Sequence, residues 1–281
     1  MKQRFVRLDK YITDKGLAPS RTVARNFIED GRVSVNGNVI IKPSSMVDAN
    51  SNAKVDVPKK IWVSRGAYKL LKAFDVFPIS AEGLRCVDIG ASTGGFTEVL
   101  LAKGALSVCS VDVGYGQLAW KLRSDSRVVV LERTNARNLT LEQIGGKKAD
   151  MIVSDASFIS VTLLLPKMEE LLDNDGTIVI LVKPQFEAGR ERVGKGVITD
   201  SFVHIDILNE TASFIDEHTG LALAAADYSP IRGPEGNIEF LFMLKMKDKV
   251  SDPYKPNFTE IVAEAHKNAA AHPRETLTGE Q

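Results

Sequence analysis

Apolar positions along this chain follow first a helical spacing, then a strand alternation, then long unbroken runs, and these changes divide it into parts. In residues 7–15, Leu8, Tyr11 and Ile12 fall on one side and Gly16 follows as a C-terminal stop, which predicts a helix. Pro19-Ser20 opens a second. Ser20 is a good N-cap, and Val23, Ala24, Phe27 and Ile28 make its apolar stripe before Gly31 ends it. Residues 32–35 alternate as a strand does, Asn36-Gly37 is a strong hairpin dipeptide, and 39–41 return. The first part is therefore a compact αα-ββ unit. Pro43, Pro58 and the polar stretch 48–54 mark its end.

Beyond residue 64 strands and helices alternate. Apolar runs predict strands at 85–90, 107–113, 127–132, 150–154, 177–182, 221–228 and 238–246, with helical patterns at 96–102, 161–172 and 202–217 among the gaps. The early runs are continuous rather than alternating, as expected of strands covered by helices on both faces. This predicts an open, doubly wound parallel α/β sheet. The last two strands are joined through Ser229-Pro230 and Gly233-Pro234-Glu235-Gly236 without a convincing helix, so the final strand is expected to be antiparallel. No internal repeat or low-complexity tract is present. The predicted organisation is a first domain at 1–57, a linker at 58–63, an α/β domain at 64–250, and a weakly helical segment and polar tail at 251–281.

Composition narrows the class. Hydrophobic residues make up 44% and charged residues 26%, which excludes a disordered chain, a collagen-like fibre and a Cys-rich scaffold. No apolar run approaches the ~20 residues needed to cross a bilayer. The N-terminus carries charges where a signal peptide has its apolar core, so a cytoplasmic protein is expected. Cys86 and Cys109 lack CxxC spacing, and His204, His218, His266 and His272 are dispersed; neither a disulfide nor a metal is indicated. The net charge of zero hides an asymmetry. Residues 1–60 hold 12 Lys/Arg against 6 Asp/Glu, and residues 61–281 hold 24 against 30. A basic module on an acidic body suggests a polyanion partner, the alternative being a solvated face. Arg4, Arg7, Lys10, Arg21, Arg25, Arg32, Lys42 and, in the α/β part, Arg65 are the candidates for phosphate contacts.

Candidate chemistry starts at Val87-Asp88-Ile89-Gly90-Ala91-Ser92-Thr93-Gly94-Gly95-Phe96, a strand entering a glycine-rich turn and then a helix. Small residues let the backbone approach a ligand, and the helix N-terminus offers free N–H groups. The turn is not a phosphate loop, because no GK[ST] follows, and it lacks GxGxxG spacing. Asp88 would repel a pyrophosphate but suits a cationic amino group, held through water or loop atoms. Asp112 lies 22 residues beyond Gly90 at the end of the next strand, where an acid binds ribose hydroxyls. A nucleoside carrying an amino acid instead of phosphates fits both features, and S-adenosylmethionine has that description. Its candidate binding residues are Asp88, Gly90, Ala91, Ser92, Thr93, Gly94, Gly95, Phe96, Asp112, Val113, Asn135 and Asp155. The alternative is a turn that merely packs strand on helix.

Four further charges sit where charges are awkward. Lys69 precedes the first sheet strand, Asp155 and Lys183 end two apolar strands, and Glu239 interrupts the last. Ligands of open α/β sheets bind beyond the carboxyl ends of the strands. At this point SRGAYKL, DIGASTGGF, SVDVGYGQL, SDASFIS, LVKPQFE and GNIEFL, with RLDKYI and APSRTVARNFIEDGRVSVNG before them, resemble the TlyA (hemolysin A) family over residues 4–247. The resemblance implies an RNA-binding domain related to that of ribosomal small-subunit protein four, joined to an FtsJ-like, Rossmann-like methyltransferase domain. It also implies 2′-O-methylation of ribosomal RNA by a Lys-Asp-Lys-Glu tetrad, here Lys69, Asp155, Lys183 and Glu239. The linker Lys59-Lys60-Ile61-Trp62 departs from the RxWW form of some relatives.

The chemistry is reasonable in itself. A ribose 2′-hydroxyl attacks once a base takes its proton, and an unperturbed lysine, with a pKa of about 10.4, is charged and cannot do so. Lys183 is the candidate base, with Lys69 as the cation that depresses its pKa or steadies the developing alkoxide, and with Asp155 and Glu239 as orienting groups. Phe158 and Phe186 could wall the cofactor or a flipped-out base, or simply pack. The rival readings are an RNA-binding assembly factor without turnover and a membrane-lytic hemolysin.

Overall fold

The computed structural model describes residues 4–58, 60–194, 196–252 and 254–269; Lys59, His272 and the tail beyond 269 lie outside the described residues. The chain divides into two compact units, the first ending at Arg65 and the second spanning Gly66–Ala269.

In the first unit, β1 (Phe5–Arg7) leads into α1 (Leu8–Asp14) and α2 (Arg21–Glu29). The Ser20 hydroxyl accepts from the Val23 N–H at 3.3 Å, the expected N-cap. Leu8, Ile12, Ala24, Phe27 and Ile28 pack into one core. β2 (Val33–Val35) turns into β3 (Asn38–Val39) through Asn36 and Gly37, both at positive φ (51° and 88°), the conformation of a tight type I′ hairpin. Three strands lie outside the expected pair. β4 (Met46–Asp48) pairs antiparallel with β1, and β5 (Ala53–Val55) pairs antiparallel with β2. The pattern of side chains did not reveal them because each is three residues long, and a polar run such as 48–54 is compatible with strands whose outer face meets water.

The second unit opens with α3 (Ala67–Val76) and then winds through β6 (Arg85–Ile89), α4 (Gly95–Ala102), β7 (Ser107–Val111), α5 (Trp120–Arg123), β8 (Val128–Leu131) and β9 (Ala149–Ser154). There follow α6 (Leu165–Leu171), β10 (Leu172–Val182), the short α7 (Pro184–Glu187) and α8 (Gly189–Val193), α9 (Ser201–His218), β11 (Leu221–Tyr228), β12 (Phe240–Met246) and α10 (Phe258–Asn268). The seven strands lie in the order β11-β12-β10-β9-β6-β7-β8. Strands β6 to β10 are parallel to one another, as the continuous apolar runs predict. The expected antiparallel final strand is β12, and it inserts between β10 and β11. The helical pattern predicted at 161–172 is instead a 3₁₀ turn plus α6, and Leu172 already belongs to β10, since Asp173-Asn174-Asp175-Gly176 cannot extend an apolar helical stripe.

Ile152, Ile180, Phe240 and Phe242 are fully buried at the centre of the sheet. Each such side chain contributes about 2 kcal/mol by leaving water. The segment after residue 250 joins this core: α10 buries Phe258, Val262 and Ala265, and Phe258 stacks on Phe242.

Candidate active site

The sheet brings four distant charges together. Asp155 and Lys183 follow β9 and β10 directly, Glu239 precedes the oppositely directed β12, and Lys69 sits on α3. Lys69 Nζ lies 3.0 Å from Asp155 Oδ2 and 2.7 Å from Glu239 Oε2. Lys183 Nζ lies 2.7 Å from Asp155 Oδ1 and donates to Asp155 O at 3.1 Å and to Ser157 Oγ at 2.7 Å. The result is a continuous array, Glu239–Lys69–Asp155–Lys183, balanced in formal charge. Lys69, Lys183 and Glu239 are buried. Burial disfavours the charge on Lys69, but the carboxylates of Asp155 and Glu239 more than offset it and raise its pKa. Burial likewise opposes the ionised form of Asp155, and the two lysines win, holding its pKa below the ordinary value. Lys69 is thus a fixed cation. The Asp155 carboxylate bridges the two amino groups, so the anion stands between Lys69 and Lys183. Glu239 Oε1 has no hydrogen-bond partner among the described residues, and Oε2 meets Lys69 as an ion pair.

Beside this array lies a cavity of about 420 Å³. Of the expected cofactor residues, Gly90, Ser92, Asp112, Val113, Asn135 and Asp155 line it. Gly90 has φ of 82°, and a Cβ there would stand 2.8 Å from Ala156 Cα, so glycine is required where the ends of β6 and β9 approach. The Asp112 carboxylate is clamped at the cavity wall: Oδ2 accepts from the Ser92 N–H (2.8 Å) and Oδ1 from the Gly114 N–H (2.6 Å). Asn135 Oδ1 accepts from the Arg137 N–H at 3.1 Å and caps a 3₁₀ turn.

Asp88, Ala91, Thr93, Gly94, Gly95 and Phe96 do not line the cavity. Asp88 is fully buried and accepts from the Thr97 N–H (2.9 Å) and hydroxyl (2.7 Å), so it anchors the start of α4. Burial pushes its pKa up to about 7 against those two bonds, and its Oδ1 has no partner among the described residues. Phe96 belongs to the core. Gln117, Thr134 and Ser157 line the cavity and were not expected. Gln117 and Ser157 had a signal, their places in the stretches SVDVGYGQL and SDASFIS; Thr134 had none.

A wider cleft of about 840 Å³ includes Phe158, Gln185 and Phe186 on its lining, with Gly194, Gly196 and Glu235 among the others. Phe158 lines both spaces, is 89% exposed, and holds a positive φ of 64°. Its ring centroid is 5.3 Å from that of Phe186.

The sequence matches the FtsJ-like methyltransferase family over residues 62–246 and the S4 domain over residues 6–52. It is 46% identical over 244 residues to the 16S/23S rRNA (cytidine-2′-O)-methyltransferase TlyA of Mycobacterium tuberculosis, covering 86% of this chain and 90% of that one. The chain belongs to the TlyA (hemolysin A) family. Hemolysin A of Brachyspira hyodysenteriae is 43% identical over 84% of this chain and 98% of its own length. A solved structure of a candidate hemolysin from Streptococcus thermophilus superposes with a TM-score of 0.75 at 40% identity, covering 95% of this chain and 98% of that one.

Within the first unit the basic residues are not equivalent. Arg7 and Arg21 clamp the buried Asp9 (3.0 and 2.8 Å), and the Arg7 hydrogen bond leads in holding that carboxyl well below the usual range. Lys10 pairs with Asp14 at 2.6 Å and Arg25 with Glu29 at 4.0 Å. Arg4 and Lys42 are exposed, and Arg65 is half-buried. Arg32, expected on the surface, is 7% exposed and faces Asp56 at 3.5 Å, an interior role. The histidines expected to be dispersed include a contact pair: His204 Nδ1 and His266 Nε2 are 3.0 Å apart. Among the described residues no group of three His, Cys, Asp or Glu is placed to hold a metal, and no helix is long and apolar enough to cross a membrane.

Proposed function

We propose that this chain is an S-adenosylmethionine-dependent methyltransferase that modifies a ribose 2′-oxygen of ribosomal RNA in the cytoplasm. The observation that carries this reading is the Glu239–Lys69–Asp155–Lys183 array at the edge of the cavity, within an FtsJ-like methyltransferase domain. The cavity fits the cofactor. Among its described lining residues there is no lysine or arginine to balance a pyrophosphate, while Asp112 presents a fixed acceptor for ribose hydroxyls. Gly90, Ser92, Asp112, Val113 and Asn135 would hold the nucleoside, and Asp155 the end nearest the array. When bound, S-adenosylmethionine supplies a methyl group on a positively charged sulfur.

The protein's own part is to orient and to move a proton. In this reading Lys183 first gives up its own proton to solvent and then, as the neutral amine, passes from its contacts with Asp155 and Ser157 to take the 2′-proton of the substrate hydroxyl. Lys69, held charged between two carboxylates, fixes Asp155 and steadies negative charge on the 2′-oxygen. Phe158, exposed beside Phe186, offers a face on which an unstacked base can lie. The S4 domain supplies cationic contacts to the RNA backbone. Relatives named as rRNA (cytidine-2′-O)-methyltransferases support a ribosomal target.

Incubation with methyl-labelled cofactor and separated ribosomal subunits, followed by mapping of the label, tests the reading. Label on one ribose position of one rRNA is expected; absence of transfer to either subunit refutes it.

A further inference from the structure

The turn between β11 and β12 delivers Glu239 to the array, and one buried amide organises it. Asn237 is 1% exposed. Its Oδ1 accepts from the Ile198 N–H at 3.0 Å and its Nδ2 donates to Gly196 O at 2.9 Å, so both ends of the amide grip the segment between α8 and α9. Its own carbonyl accepts from the Gly233 N–H at 2.9 Å. Gly233 lies against the Glu239 carboxylate, where a Cβ would come within 2.8 Å of Oε1. The Ser229 N–H closes the turn on Glu239 O at 2.8 Å. The gripped segment is also a wall of the open cleft, since Gly196 lines it together with Glu235 from the turn.

We infer that Asn237 is a positioning residue that locks the 196–198 segment to the Glu239-bearing turn, so that the substrate-side wall of the cleft and the fourth member of the array move as one body. The amide carries a donor and an acceptor side by side, and at this side-chain length each reaches its partner. Alanine would leave the Ile198 N–H, on a buried residue, and the Gly196 carbonyl without partners. The inference rests on the functional reading above for what the cleft receives, and on the hydrogen bonds alone for the mechanical link.

Full-length Asn237→Ala, compared with wild type, tests both parts. Amide exchange at Ile198 should accelerate about tenfold or more while β10 amides keep their protection, and cofactor affinity should stay within about twofold. The KM for ribosomal RNA should rise and the single-turnover rate should fall, each about fivefold or more. Asn237→Ser, which can keep one of the two bonds, should fall between and serves if the alanine variant does not fold. Wild-type exchange at Ile198, wild-type kinetics, or cofactor affinity falling in step with rate would each overturn the inference. If wild-type protein transfers no methyl group, the functional reading fails while exchange at Ile198 still decides the link.

Discussion

Lys69 and Asp155 are 86 residues apart in sequence, yet Lys69 Nζ sits 3.0 Å from Asp155 Oδ2 with Glu239 on its other side. Removing this buried cation alone leaves Glu239 without its counter-ion and two carboxylates facing the single Lys183 cation. Lys69→Met should therefore destabilise the protein by about 3 kcal/mol, read in chemical denaturation. Adding Glu239→Gln should recover part of that loss, because one uncompensated carboxylate goes with it. Full stability in Lys69→Met would mean that the array is not charged as described.

Asp112 should govern cofactor affinity. Its carboxylate orders Ser92 and Gly114 at the cavity wall and would accept the ribose hydroxyls. Asp112→Ala should lower S-adenosylmethionine affinity about tenfold or more by calorimetry, with the fold retained. Unchanged affinity in a folded variant would remove the nucleoside from this cavity.

Stability should depend on pH through His204. Burial, with His266 next in effect, lowers its pKa from 6.5 to about 4. Between these values the unfolded chain binds a proton that the folded one refuses, so stability present above pH 6.5 is lost as pH falls towards 4. Asp88, raised to about 7 by burial, acts in the opposite sense over much of this window. The His204 contribution is therefore read as the difference between wild type and His204→Asn, which should grow less favourable to wild type on acidification. A difference independent of pH would contradict it.

Exposed and interior cations of the S4 domain should separate in RNA binding. Replacing Arg4, Arg25 and Lys42 together by Gln should weaken binding to ribosomal RNA and reduce the slope of affinity against salt by about 2. Arg32→Gln, which removes a buried guanidinium facing the exposed Asp56, should cost stability and leave that slope unchanged. Filter binding at several salt concentrations distinguishes the two.

Much of this arrangement was legible in the sequence because it rests on local or strongly patterned features. The Ser20 cap, the Asn36-Gly37 hairpin and the buried runs of β6, β7, β9 and β10 each announce themselves within a few residues. Asp155, Lys183 and Glu239 were legible because strand ends are where charges in apolar runs must emerge, and Lys69, on α3, through its motif SRGAYKL. What escaped depends on long-range contact. β1, β4 and β5 are too short to show a period, and their pairing is set by partners elsewhere in the chain. Asp88 turns inward to Thr97 rather than towards the cavity, a choice of side-chain direction that spacing does not encode. His204 and His266 meet only because α10 packs on α9. Arg32 looks like any surface arginine until the fold closes over it.

The most direct test is single-turnover methyl transfer to ribosomal RNA by wild type, Lys183→Ala and Lys183→Arg, with the product hydrolysed in alkali. A methylated 2′-oxygen cannot attack the adjacent phosphodiester, so ribose methylation leaves an alkali-resistant dinucleotide carrying the label. Wild type should place its label there. Both variants should bind cofactor and RNA normally yet transfer almost nothing, because alanine has no proton acceptor and arginine stays charged. Label in alkali-sensitive mononucleotides, or near-normal transfer by Lys183→Arg, would contradict a ribose 2′-O-methyltransferase that uses Lys183 as its base.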